Sequence, residues 1–180
     1  MQVFLLLAVV ASAAAALFDM RTREIPNWIS LGALVVAVAA HVAHGVMRAG
    51  GLAGVREGGW SVVGALASGI VPFFFWQRGA FGGGDVKMMA AVGALLLPLD
   101  GIEAEFYALI VAAVLAPARL AWEGKLLRTL GNVATLMLNP LRPKNKRREV
   151  PLEAMTSLRF GPAILAGALL CAAVHWRDRL

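Results

Sequence analysis

Six long apolar stretches, separated by short polar connections, account for most of this chain. They run from about Gln2 to Phe18, Trp28 to Val46, Trp60 to Trp76, Val86 to Leu99, Ile102 to Trp122 and Leu158 to Trp176. A helix needs ~20 residues to cross the hydrocarbon core of a bilayer, with ~17–25 the usual range. Five of the six stretches meet that length. The fourth reaches it only if the glycine-rich approach from Phe81 to Gly84 lies at membrane depth, enclosed by protein or a wet cavity. The pattern predicts an all-α polytopic membrane protein with six transmembrane helices, forming a single domain over residues 1–180.

Composition narrows the field further. Of the 180 residues, 59% belong to the set AVILMFWYC and only 16% are charged. Soluble domains hold ~45–50% apolar residues even with glycine counted, and ~25% charged. A globule this small could not hide so much apolar surface from water. Disorder, a nucleic-acid-binding tail and a water-soluble enzyme are all excluded. The single Cys171 excludes an intramolecular disulfide and a multi-cysteine zinc site. No positive charge precedes the first apolar run, so it is read as a retained helix rather than a cleaved signal peptide.

Charge sets the orientation. The formal net charge is +6, from seventeen Lys and Arg against eleven Asp and Glu. In alternate connections, one side of the membrane receives Arg21, Arg23, Arg78, Lys87, Arg119, Lys125, Arg128, Arg142, Lys144, Lys146, Arg147, Arg148 and Arg159. The other receives only Arg48, Arg56, Arg177 and Arg179. Basic residues concentrate on the cytoplasmic side, which predicts that both chain ends lie outside. The connection from Glu123 to Ser157 is the one long loop, basic and cytoplasmic. Its Leu126 to Leu138 stretch suits an interfacial helix, and its 142–148 basic run suits anionic lipid. A topology signal in a solvated loop explains the same residues.

The acids carry the chemistry. An ionisable side chain at the bilayer centre costs ~2.5–3.5 kcal/mol on insertion scales. Asp19 ends the first apolar run and Asp85 begins the fourth, behind Gly82-Gly83-Gly84. With alternating helices both fall at similar depth on the cytoplasmic side. Glu57, Asp100, Glu103 and Glu105 are expected at the outer face. Two carboxylates brought together cannot easily both ionise, so one keeps a proton while the other stays charged. The charged member can deprotonate a water and the neutral one can protonate a peptide carbonyl, with no metal, cofactor or covalent intermediate. Glycines at 82–84 would let a substrate backbone approach and permit positive φ before the helix. Each aspartate alone also has a plain explanation. Asp85 suits a helix N-cap, and Asp19 an interfacial pair with Arg21 or Arg23.

Two motifs carry a family resemblance. Phe18-Asp19-Met-Arg-Thr-Arg-Glu-Ile-Pro26-Asn27 resembles the segment around the first catalytic aspartate of prepilin peptidases, the type IV leader peptidases. Gly82-Gly83-Gly84-Asp85-Val86-Lys87-Met88 resembles their second motif, the GxGD signature shared more loosely with presenilin-type intramembrane proteases. Leu158-Arg-Phe-Gly161-Pro162 resembles the start of their last helix. The resemblance implies a catalytic dyad of Asp19 and Asp85, with Gly82 and Gly84 shaping the site. The implied substrate is a type IV pilin-like precursor with a short basic leader and one apolar helix. It would be cut at the cytoplasmic face of a bacterial inner membrane. Larger relatives add a cytoplasmic domain with cysteine pairs and N-methylate the new terminus. With a first connection under ten residues and Cys171 alone, this chain is expected to be peptidase-only, similar to the short enzymes of tight-adherence (Flp) pilus systems.

Asn27, Lys87 and Met88 are further candidates for substrate contact. Asn27 serves equally as a helix start, Lys87 as a headgroup-seeking cation, and Met88, Met89 and Val92 as ordinary packing. Other mechanisms fit less well. No H-E-x-x-H occurs. A serine–histidine protease would pair mid-helix Ser68 with His41, His44 or His175, all near the outer ends. A non-enzymatic transporter or pilus-assembly subunit would use the two aspartates for proton or cation passage.

Overall fold

A computed structural model describes residues 2–79, 81–127, 129–131 and 160–176. The basic 142–148 run, Arg128, Arg159 and most of the 126–138 stretch lie outside these residues. Five helices are described: α1 (Gln2–Thr22), α2 (Asn27–Ala49), α3 (Gly51–Gln77), α4 (Gly83–Trp122) and α5 (Gly161–His175). The first four are long and apolar enough to cross a membrane, and α5 is a shorter apolar helix. The chain forms two compact units, Met1–Val111 with Arg159–Leu180, and Ala112–Leu158.

The first unit leaves many large apolar side chains on its surface, around an apolar core rich in small residues. Leu52, Leu66, Val35 and Val3 point outward, while Ser12, Ser30, Ser61 and many alanines are buried. Helices in lipid gain nothing by hiding leucine from their solvent, and associate instead through small residues that let backbones approach closely. The α2–α3 hairpin follows that rule. Gly50 at φ 83 turns the chain, and a Cβ on Gly45 would lie 2.6 Å from the Ala53 carbonyl oxygen. His44 Nδ1 and Glu57 Oε2, 2.7 Å apart, tie the same hairpin together.

The fourth and fifth apolar runs share one 40-residue helical element, which would measure ~60 Å if straight, about twice a bilayer core. It is not straight. Leu97 adopts φ 68, ψ 170, a conformation costly for a side chain with a Cβ, and Pro98 disfavours helix at the preceding residue. The chain folds back there: a Cβ on Gly101 would sit 2.7 Å from the Gly93 Cα, where a straight helix would separate them by ~12 Å. The expected connection at residues 100–101 is therefore helical, and the break comes three residues earlier. Pro98 has no N–H for the Ala94 carbonyl, so Ser61 Oγ donates to it instead at 2.8 Å. His41 Nε2 donates to the Leu95 carbonyl at 3.0 Å, its ring stacked on Phe4. Removing the hydroxyl in Ser61→Ala leaves a buried carbonyl unpaired. Unfolding in detergent should show a loss of ~1–3 kcal/mol.

Glu105 is set apart from the other acids of this region by its burial. It is buried within the first unit, 5% exposed, and its Oε1 has no hydrogen-bond partner among the described residues. The break at Leu97 puts it two turns into a helix, on the side facing protein.

The second unit begins within α4, which closes with Gly124 at φ 67. Lys125 N–H bonds to the Leu120 carbonyl at 2.8 Å and Gly124 N–H to that of Ala121 at 3.0 Å, the glycine-terminated stop common to helix ends.

Candidate active site

α1 runs one turn past its apolar stretch and ends at Thr22. Arg23, at φ 63, turns the chain out of the helix. Pro26 is extended (φ −60, ψ 140) and caps α2, which begins at Asn27. Asp19 is thus in the last turn of α1, 6% exposed. Its Oδ2 accepts from the Gly161 N–H at 2.9 Å, 142 residues away at the first turn of α5. No ion pair with Arg21 or Arg23 forms among the described residues.

Asp85 occupies the third position of α4. Its Oδ2 accepts from the Gly82 N–H at 3.1 Å, the reach-back bond of a residue in the first helical turn. Asp85 is therefore not the N-cap that its place after the glycines suggested: Gly82 stands at that position, and Asp85 reaches back to its N–H from inside the helix. That bond does not hide the side chain, because Asp85 also lines a cavity of about 420 Å³ with Asp19. The remaining walls are residues 23–27 and Gly82 to Gly84.

The glycines do not supply the positive φ expected of them. None of Gly82, Gly83 and Gly84 has a positive φ; the chain takes that conformation at Gly79 (φ 73). Gly84 is needed for space. A Cβ there would lie 3.0 Å from the Ile25 Cβ and 3.2 Å from the Ile25 carbonyl oxygen. The absence of a side chain brings the start of α4 against the α1–α2 connection, and so brings the two motifs together.

Asn27 lines the cavity. Lys87 does not, and its Nζ donates to Asn27 Oδ1 at 2.8 Å, a second tie between the motifs. Met88, Met89 and Val92 are buried in the packing of α4 and do not line the cavity. His41, His44 and His175 engage the Leu95 carbonyl, Glu57 and Glu103, with Ser68 in none of these contacts.

A pair not singled out in the sequence completes the site. Phe81 and Phe160 are in contact, with ring centroids 4.5 Å apart and planes tilted by 36°. Each immediately precedes a glycine whose N–H holds one carboxylate, Gly82 for Asp85 and Gly161 for Asp19. The signal was a Phe-Gly step in both motifs, but only contact in space gives it meaning.

A sequence profile described as the type IV leader peptidase family matches residues 5–117, a span that includes both aspartates. The chain belongs to this family. No curated protein and no solved structure matches it. As a type IV leader peptidase family member with several membrane-length apolar helices, it is a membrane-embedded peptidase.

Proposed function

We propose that this leader peptidase family member is an aspartyl endopeptidase that removes the short basic leader from type IV pilin-like precursors. One observation carries the reading: Asp19 and Asp85, 66 residues apart in sequence, line one polar cavity. In the proposed reaction the dyad holds one proton. The charged carboxylate takes a proton from a water between the two, and that water attacks the scissile carbonyl carbon. The neutral carboxyl gives its proton to the carbonyl oxygen. Collapse of the tetrahedral intermediate breaks the C–N bond, and the proton passes to the departing amine. The chemistry calls for no cofactor. Gly82 and Gly84 shape the cavity, and Asn27, held by Lys87 from outside it, offers its wall to a substrate backbone. Glu24 beside the aspartates suits a basic leader.

The chain is proposed to form one peptidase domain with six spans, the limbs of α4 before and after Leu97 crossing separately and α5 supplying the last. Both ends would then lie outside a bacterial inner membrane, placing the cavity and the basic 123–157 loop at the cytoplasmic face. The charge asymmetry supports this orientation. Tags at residues 50 and 145 should report opposite sides; a shared side overturns the topology. The α1–α2 connection spans only residues 23–26, which supports a peptidase without methyltransferase activity.

Coexpression with a pilin-like precursor tests the function. The precursor should shift to a shorter form on a gel, and mass spectrometry should find an unmodified new N-terminus. An uncut precursor together with ion flux in liposomes would favour a transporter instead.

A further inference from the structure

At the end of the first unit remote from the aspartates, three different metal-ligating side chains converge. Cys171 and His175, four residues apart, share one face of α5. Glu103 meets them from the limb of α4 that follows the Leu97 reversal. One ligand atom from each of the three lies within 4.8 Å of the other two. Glu103 Oε2 and His175 Nε2 are 2.7 Å apart, and the other Glu103 oxygen accepts from the Tyr107 hydroxyl at 2.6 Å. Cys171 is fully buried, whereas His175 and Glu103 are 24% and 31% exposed. The group is therefore closed toward the protein and open toward the outside.

We propose that Glu103, Cys171 and His175 form a binding site for a borderline-soft divalent cation of the zinc class. The donor set selects the metal. Thiolate and imidazole suit zinc, whereas magnesium and calcium want oxygen throughout. Metal–ligand bonds of ~2.0–2.3 Å place tetrahedral ligand atoms ~3.2–3.8 Å apart. The cluster needs only small side-chain rotations to reach that spacing. The Glu103–His175 contact opens, Cys171 closes in, and water takes the fourth position. Tyr107 keeps the Glu103 carboxylate oriented, the supporting role that partners of metal ligands commonly play. Binding exchanges the Cys171 thiol proton, and the His175 proton when that ring is charged, for the cation. The ion would clamp the C-terminal end of α5 to α4. The proposed hydrolysis needs no metal, so this site stands independently of it.

The test uses the whole chain, purified in detergent and stripped with chelator. Zn²⁺ is titrated in competition with a chromophoric chelator, and thermal unfolding is followed with and without Zn²⁺. One Zn²⁺ per chain should bind and raise Tm, while Mg²⁺ should do neither. Co²⁺ in its place should give a thiolate-to-metal charge-transfer band that Cys171→Ser abolishes. Zn²⁺ affinity should fall at least ~10-fold in Cys171→Ser, His175→Gln and Glu103→Gln. Should Cys171→Ser fail to fold, the two partly exposed positions report the same loss. Zn²⁺ binding that these substitutions leave unchanged, or no binding by the wild-type chain, overturns the site.

Discussion

Asparagine in place of Asp19 or Asp85 is expected to slow precursor cleavage by ~10²–10⁴-fold, the usual contribution of a positioned acid or base. The substitution is nearly isosteric, and the amide oxygen can still accept from Gly161 N–H or Gly82 N–H, so both local hydrogen bonds survive. What disappears is the ability to exchange a proton. Each variant should therefore accumulate in the membrane at wild-type levels and leave the precursor at full length on a gel. Because the carboxylates act as a unit, the double variant should be little worse than either single one. Processing at the wild-type rate by either single variant would remove the dyad from the mechanism. Misassembled protein would show itself separately, as lost expression or early unfolding in detergent.

Gly161→Ala is expected to damage the same reaction without replacing a reacting group. A Cβ at 161 would lie 2.8 Å from both the Cβ and Oδ2 of Asp19, and 3.2 Å from the Ala16 Cα. The crowded atoms belong to α1, so relief requires α5 to move or Asp19 to rotate. Overpacking of this kind costs ~1–3 kcal/mol. A displacement of ~1 Å at a reacting group can cost ~10²-fold in rate. The variant should insert, unfold earlier in detergent, and lose most of its turnover while retaining affinity for precursor. Gly59→Ala is the matched control. Nothing lies within 4 Å of a Cβ there, and alanine in a helix interior is favoured over glycine by ~0.5–1 kcal/mol. Equal activity for the two variants would mean that the α1–α5 approach at Gly161 does not govern the site.

The different weights of these two predictions trace to what a linear pattern can hold. Asp19 and Asp85 stand out because a carboxylate beside a long apolar run is expensive, and expense is visible one residue at a time. Gly161 does not stand out in that way. Its importance lies in the closeness of the α1 backbone, and no run or spacing encodes a distance between segments 142 residues apart. The same holds for the glycines before Asp85. Their number suggested conformational freedom, whereas Gly84 serves as room for Ile25 and the positive φ falls at Gly79. Ser61 and His41 likewise read as ordinary helix residues. Their roles arise because Pro98 and the turn at Leu97 free carbonyls that a neighbouring helix must satisfy.

Taken alone, the order of residues determined that this chain is helical, that its surroundings are lipid, and which two acids invite attention. Each of those properties is a sum over neighbours in sequence: apolar length, helical rise, and the cost of a charge next to hydrocarbon. Tertiary structure decided where the fourth run turns back and that Glu105 is buried. It also decided that one cavity joins Asp19 to Asp85, and that Glu103, Cys171 and His175 meet. Those facts depend on which small residues let helices touch, and packing between distant segments has no signature until the chain is folded.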